Sequence, residues 1–320
     1  MPSSLASESK IPVYDLLVIG GGINGTAVAR DAAGRGLSVV LCEKDDLASH
    51  TSSASTKLIH GGLRYLEHYD FKLVRESLKE REILLRAAPH IIWPLRFILP
   101  YDEGLRPKWL LRMGLFLYDN LGGRELLPGT KTRKRGQGSR FDVLKDRLET
   151  GFEYSDCWVE DSRLVALNAV DAAQQGADIF TRTEVRSIKG EGGLYRAEIQ
   201  NGEHLKTIKA RGIINAAGPW VDSLLSTVEQ SDVKDETTLR LVKGSHIVVP
   251  KLYDGDHAFI FQNSDERVIF AIPYEQNFTL IGTTDVPHET PDDLPQASAE
   301  EIQYLCDCVN EYFKTQTTPT

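Results

Sequence analysis

Cysteine is scarce in this sequence and poorly placed for a framework. Cys42, Cys157, Cys306 and Cys308 are spread over 320 residues with no CxxC pair. A disulfide scaffold needs more cysteines in a chain this long, and a zinc site needs paired spacing. They read as reduced thiols. Cys306 and Cys308, two apart on a predicted helix, point in different directions and are poor joint ligands, so no metal is expected. No apolar run approaches the roughly 18–20 residues that a helix needs to cross a bilayer. The opening MPSSLASESK lacks the basic start and apolar centre of a secretory signal. Residues 1–13 read as a disordered lead-in. Positive charge is also short: the net charge is −9, which argues against a dedicated nucleic-acid binder. No repeat appears at solenoid periods.

What is present suits a soluble globular chain, with 41% hydrophobic and 26% charged residues. The length allows two modest domains. Near the start, YDLLVI (14–19) suits a buried strand and GGGINGTAVARDAAGRG a close-packed helix that ends near Gly34 and Gly36. LSVVLCE (37–43) suits a second buried strand. Together they predict a βαβ unit with a parallel sheet. Gly20, Gly22 and Gly25 form G-x-G-x-x-G at the strand–helix junction. Gly20 permits the tight turn, Gly22 lets a pyrophosphate approach the helix start at Ile23 and Asn24, and Gly25 allows close helix–sheet packing. Glu43 ends the second strand, where a carboxylate accepts hydrogen bonds from a ribose. The fingerprint alone does not separate FAD from NAD. A hydroxyl-rich loop after the second strand and a late return strand, IINAAGPW (213–220), favour FAD. Ala216, Ala217 and Gly218 are small enough for the backbone to approach a cofactor.

Further along, residues 69–88 predict a helix with Phe71, Val74, Leu78, Ile83 and Leu84 on one apolar side, stopped by Pro89. Pro94, Pro100 and Pro107 predict an irregular region. TKTRKRGQGSR (130–140) carries five Lys/Arg and no acid. Residues 161–175 read as a helix. An antiparallel excursion follows, turning at Gly190–Gly193 and Asn201-Gly202, and returns as GIINAAG. Strands at 245–250, 257–262, 267–273 and 278–282 suggest a second sheet. Ser298 and Glu301 form a capping box before a helix over 299–313. The last six residues show no core role. The expected fold is α/β with an α+β second domain: a Rossmann-like FAD-binding parallel sheet interleaved with a mainly antiparallel substrate-binding sheet. The expected boundaries are 14–90 and 150–220 for the FAD domain, and 91–149 and 221–320 for the substrate domain.

The stretch LLVIGGGINGTAVARDAAGRGLSVVLCEKDDLASHTSSASTKLIHGGLRYLEHYDF resembles the N-terminal region of the flavin-dependent glycerol-3-phosphate dehydrogenases, in particular the bacterial aerobic enzymes. LLRMGLFLYDNLG, GFEYSDCWVEDSRLV, NAAGPWV, LVKGSHIVVP and IGTTDV extend the likeness from about residue 15 to residue 286. The resemblance implies FAD bound non-covalently and oxidation of sn-glycerol 3-phosphate to dihydroxyacetone phosphate. The hydride passes from C2 to flavin N5 and the electrons to membrane quinone. It implies a location on the inner face of the cytoplasmic membrane, and it admits a homodimer. Family members are longer, with a further arginine motif and a helical C-terminal domain, so the expectation is a truncated chain. A glycerol-phosphate oxidase that uses oxygen is one alternative. A non-catalytic flavin-binding fragment is another.

By the same resemblance, Thr51, Ser53, Lys57, His60, Gly61 and Gly62 lie along the flavin, with Trp220 at the return strand. Gly61 and Gly62 leave room for the isoalloxazine. The Arg64 fork suits a phosphate dianion, and the Tyr65 hydroxyl suits the same oxygens. His246 is the candidate base for the substrate hydroxyl, since a neutral imidazole takes a proton near pH 7. Lys243 is a neighbour for an anionic substrate, and Thr283, Thr284 and Asp285 help to shape the site. Residues 105–122 with the basic loop combine apolar bulk and positive charge suited to anionic headgroups, although a core-packed helix fits the same pattern.

Overall fold

The computed structural model describes residues 11–102, 107–136, 139–229, 239–263, 265 and 267–319. The lead-in predicted for residues 1–13 falls mostly outside this set, and β1 already begins at Val13. In chain order the strands are β1 (Val13–Ile19), β2 (Val39–Cys42), β3 (Leu58–Ile59), β4 (Ile92–Pro100), β5 (Lys131–Lys134), β6 (Thr150–Val159), β7 (Asp178–Phe180), β8 (Glu184–Glu191), β9 (Leu194–Asn201) and β10 (His204–Asn215). They continue with β11 (Val228–Glu229), β12 (Val242–Lys243), β13 (His246–Pro250), β14 (His257–Gln262), β15 (Val268–Tyr274), β16 (Phe278–Gly282) and β17 (Val286–Pro287). The helices are α1 (Ile23–Gly34), α2 (Phe71–Ala87), α3 (Lys108–Leu121), α4 (Asp161–Gln174), α5 (Val221–Leu225) and α6 (Ala299–Tyr312).

The chain forms two compact units, one of Met1–Ser55 with Asp161–Arg240, the other of Thr56–Glu160 with Leu241–Thr320. The first carries a sheet in the order β11-β8-β9-β10-β1-β2-β7. Its β10, β1, β2 and β7 run parallel, as the βαβ pattern predicts. β10 does two jobs. Its first half closes an antiparallel meander with β9, and its second half runs parallel to β1. α1 and α4 lie on this sheet through Ala29, Ala32, Ala33 and Ala172, whose small side chains allow close approach.

The second unit carries an eight-stranded sheet in the order β13-β16-β15-β14-β4-β6-β3, with β5 added along β6. Neighbouring pairs are antiparallel except β14 with β4. Both faces of the central strands are buried. On β4 and β14, Ile98, Phe259 and Phe261 face the α6 side, while Phe97, Leu99, Ala258 and Ile260 face α2 and α3. That is the period of two of a pleated strand.

Several expectations are corrected here. The units part at Ser55, Glu160 and Arg240, not at 90, 150 and 220. β3 pairs with β6, and β6 with β4, which ties 56–90 and 150–160 to the second sheet. Leu224 packs in the first unit's core and β11 pairs with β8, which ties 221–229 to the first. Pro94 and Pro100 lie inside β4, not in an irregular region. β14 bonds β4 only at Arg96–Ile98, so neither proline interrupts that ladder. On α2, Phe71 and Ile83 are exposed, and the buried face includes Arg81 and Glu82. The final residues do have a structural role: the amide and carbonyl of Thr317 both bond the Asn310 side chain at 2.8 Å.

The capping box of α6 forms as predicted and belongs to a larger node. Glu301 accepts hydrogen bonds from Lys243 Nζ at 2.6 Å, Ser245 Oγ at 2.8 Å, Thr284 Oγ1 at 2.6 Å and the Ser298 amide at 2.9 Å. Burial opposes ionisation of Glu301, but the Lys243 ammonium, the Ser298 amide and the two hydroxyls outweigh it and hold the carboxyl at about 2. The folded-state value is lowered, so this stability is complete above the ordinary value of 4.5 and is lost as pH falls through about 2. Glu301→Gln should cost about 1.5–3 kcal/mol in urea unfolding at pH 7. The gap from the unchanged protein should narrow at pH 3. An equal gap at both pH values would contradict this role.

Candidate active site

In the first unit, the turn after β1 is closed over the end of the return strand. Gly20 has φ +111°, and a Cβ there would lie 2.3 Å from the Ala216 carbonyl oxygen. A Cβ on Gly25 would lie 1.9 Å from the Gly20 carbonyl oxygen. Both glycines and Ala216 are therefore parts of one tight crossing. Glu43 is buried at the end of β2. Its Oε2 accepts the Gly21 amide at 2.6 Å and its Oε1 the Asp45 amide at 2.8 Å. The carboxylate thus braces the glycine turn. At Gly21, which the fingerprint leaves unspecified, a Cβ would lie 2.8 Å from Glu43 Cβ.

The hydroxyl run supplies a contact that sequence reasoning missed. Ser52 Oγ accepts the Ile23 amide at 3.0 Å and faces Gly22 at the start of α1. Thr51 and Ser53, expected along the flavin, are exposed, as is Asn24. Gly218 has φ +55° and begins the short turn that ends at Trp220. The Trp220 ring has Lys44 Nζ at 3.6 Å from its centroid and the His50 ring at 4.5 Å. Glu43, Asp45 and His50 bring ligand atoms within 4.8 Å of one another. Both Glu43 oxygens already accept amides and Asp45 holds His50 at 2.7 Å, so this is a bonded corner. A helix start capped by a glycine, with Ser52 Oγ on the Ile23 amide and a strand-end carboxylate beside it, fits a dinucleotide pyrophosphate and ribose.

In the second unit, β3 and its flanks carry Lys57 just before the strand and His60, Gly61, Gly62, Arg64 and Tyr65 after it. Lys57 has φ +57°, and its carbonyl accepts the Val159 amide at 2.9 Å. The two glycines have a necessity different from room for a flavin plane. A Cβ on Gly61 would lie 2.4 Å from Leu78 Cδ2 and 2.9 Å from Tyr118 Cε2. Gly62 has φ +66°, and a Cβ there would lie 2.4 Å from the Tyr65 ring. The Gly61 amide donates to the Tyr118 hydroxyl at 2.7 Å and the Gly62 amide to His60 Nδ1 at 3.2 Å. His60 and Arg64 are exposed, and Tyr65 is half-exposed at 47%.

His246 opens β13 opposite Gly282 of β16. Its ring lies over Gly282, where a Cβ would be 2.0 Å from His246 Cδ2. Its Nε2 is 2.9 Å from Thr56 Oγ1, which links it to the segment carrying Lys57 to Tyr65. Lys243 does not face a substrate: it bonds Glu301 and the Gln296 carbonyl, drawn there by the buried carboxylate. Thr284 likewise serves Glu301, Thr283 Oγ1 donates to the Thr284 carbonyl at 3.2 Å, and Asp285 is exposed.

The crossing in the first unit yields a prediction. Gly25→Ala places a methyl against a backbone carbonyl that cannot retreat, and should cost more than the about 1–3 kcal/mol typical of overpacking. The purified variant should lose its flavin absorbance. A yellow, stable Gly25→Ala protein would contradict the geometry.

Residues 15–319 match the model of the FAD dependent oxidoreductase family. The chain is 57% identical over 302 residues to a D-erythritol 1-phosphate dehydrogenase of Brucella abortus, covering 94% of this chain and 60% of that protein. It is 54% identical over 310 residues to a glycerol-3-phosphate dehydrogenase of Pseudomonas aeruginosa, covering 95% and 59%. Among solved structures, the glycerol-3-phosphate dehydrogenase of Bacillus halodurans complexed with FAD superposes with a TM-score of 0.71 at 30% identity, over 98% of this chain and 55% of that one. The chain thus spans about three fifths of the length of these curated relatives. With its glycine crossing, strand-end carboxylate and this match, the chain belongs to the FAD-dependent oxidoreductase family.

Proposed function

We propose that this protein oxidises the secondary alcohol of sn-glycerol 3-phosphate to dihydroxyacetone phosphate with FAD and passes the electrons to membrane quinone. The observation that carries this reading is the 54% identity to a glycerol-3-phosphate dehydrogenase over 95% of the chain. A second substrate, D-erythritol 1-phosphate, is favoured by the 57% identity to a dehydrogenase of that name. The two substrates share a phosphate monoester and secondary hydroxyls.

Each residue has a chemical task in this reading. The exposed Arg64 guanidinium takes the phosphate dianion with two parallel hydrogen bonds, and Tyr65 adds a hydroxyl. His246 removes the hydroxyl proton, with Thr56 orienting its ring. FAD, when bound, supplies at N5 the acceptor for the hydride from C2. Gly20, Gly22, Ile23, Asn24, Gly25, Glu43, Ala216 and Gly218 hold the dinucleotide, Thr51, Ser53 and Trp220 border it, and Lys57 and His60 to Gly62 line its flavin end.

For the membrane, α3 offers a face. Among the described residues no helix is long and apolar enough to cross a bilayer. On α3, Leu115 and Tyr118 are buried, while Trp109 and Phe116 are 68% and 66% exposed and Leu110 and Met113 are also open. Lys108 and Arg112 flank this apolar stripe, which suits a peripheral seat on the anionic inner face of the cytoplasmic membrane. The basic stretch that follows, part of which lies outside the described residues, folds as β5 and adds the exposed Lys131 and Lys134, while Arg133 is held by Glu153.

Rapid mixing of the holoprotein with each substrate tests the chemistry. His246→Asn should slow flavin reduction by about 10²-fold with FAD retained, whereas near-normal reduction removes His246 from the role. Arg64→Ala should weaken binding of the phosphorylated substrates. Equal affinity before and after would contradict it. Reoxidation by oxygen with stoichiometric peroxide, and none by quinone, would make the protein an oxidase instead. Cosedimentation with phosphatidylglycerol vesicles tests α3: Phe116→Glu should abolish binding, and unchanged binding would contradict that face.

A further inference from the structure

α2 buries two charges that its packing does not require. Arg81 is 3% exposed and Glu82 6%. Arg81 Nη1 donates to Asp156 Oδ1 at 2.6 Å and to the Ser155 carbonyl at 2.9 Å. The same Asp156 oxygen accepts the Tyr118 hydroxyl at 2.7 Å, and that hydroxyl accepts the Gly61 amide at 2.7 Å. Asp156 and Tyr118 are each 2% exposed. The line runs from α2 through β6 and α3 to the turn after β3.

This arrangement is expensive for a packing device. Arg81 Nε and Glu82 Oε1 are buried with no hydrogen-bond partner, and apolar residues of similar volume stabilise such positions as well or better. The Tyr118 ring already packs edge-on against Tyr154 at 5.8 Å between centroids. What the polar atoms add is direction. The Tyr118 proton is committed to a carboxylate, so its oxygen presents a lone pair to the Gly61 amide. Linked bonds of this kind polarise one another. Gly61 has no side chain of its own to fix it. The next amide, Gly62, bonds His60 Nδ1, and Arg64 follows in the same turn.

We propose that Tyr118, backed by Asp156 and Arg81, is a positioning residue that pins the Gly61 peptide and thereby aims His60 and Arg64 for the oxidation proposed above. The inference rests on that functional reading for its consequence, but the pin can be measured separately.

The holoprotein carrying Tyr118→Phe, and independently Asp156→Asn, is compared with Leu115→Ala, which opens a cavity in the same helix and leaves the Tyr118–Gly61 hydrogen bond in place. Two quantities are followed: amide exchange in the Leu58–Leu63 peptide, and flavin reduction by saturating glycerol 3-phosphate. Tyr118→Phe should speed the exchange and slow the reduction, each about tenfold, as expected for one lost hydrogen bond, and Asp156→Asn, which removes the charge but keeps an acceptor oxygen, should move both in the same direction by less, with FAD retained. Leu115→Ala should lower the melting temperature and leave both quantities unchanged. Wild-type exchange in Tyr118→Phe and Asp156→Asn would overturn the pin. Faster exchange with unchanged reduction would overturn the positioning role, as would equal effects in Leu115→Ala. If neither polyol phosphate reduces the unmodified holoprotein, the functional reading fails, while the exchange still decides the pin.

Discussion

β6 carries two buried carboxylates, one on each face of the second sheet, and much of that unit is arranged to satisfy them. Glu153 faces the α6 side and receives Arg96, Arg133 and Arg140. Asp156 faces α2 and α3 and receives Arg81 and Tyr118. A carboxylate buried without such partners would be neutralised or expelled. Meeting this demand fixes neighbours. Arg96 ties β4 to β6 and reaches the carbonyls of Pro128 and Gly129, and Arg133 and Arg140 bring β5 and the turn after it onto the same edge. On the other face, Arg81 sets the rotation of α2 and Tyr118 that of α3. The glycine turn is pinned from that side.

The first unit answers a different constraint, close backbone approach. Gly20 and Gly25 cross a carbonyl each with no space for a side chain, and Glu43 draws two amides of the adjoining turns onto itself. Anion affinity at the start of α1 follows from that geometry. Arg64, Tyr65 and His246, the residues proposed for the substrate, belong to the second unit.

Legibility in the sequence follows contact range. The G-x-G-x-x-G turn, the strand–helix–strand order and the α6 capping box are set by residues a few positions apart, and local spacing displays them. Arg81, Tyr118 and Asp156 have no local signature, because their partners lie 75, 57 and 38 residues away. On α2, Arg81 and Glu82 look like solvated charges until β6 is in place. The double glycine stands out in the sequence, but the obstruction at Gly61 comes from Leu78 and Tyr118 on two later helices, which spacing does not pair with it. Lys243 near His246 looks like an anion site, and the Glu301 that occupies it is 58 residues away. The same range effect moves the unit boundaries, since β3 and β6 pair across 100 positions (Leu58 with Trp158).

In the proposed reaction a hydride leaves C2 of a polyol phosphate while a proton leaves its hydroxyl. The most direct measurement is anaerobic bleaching of the flavin band with glycerol 3-phosphate deuterated at C2, set beside the same compound deuterated at C1. The account predicts slower bleaching with deuterium at C2 and an unchanged rate with deuterium at C1. Bleaching that is insensitive to deuterium at C2 under conditions where chemistry limits the rate, or no bleaching at all, would contradict it.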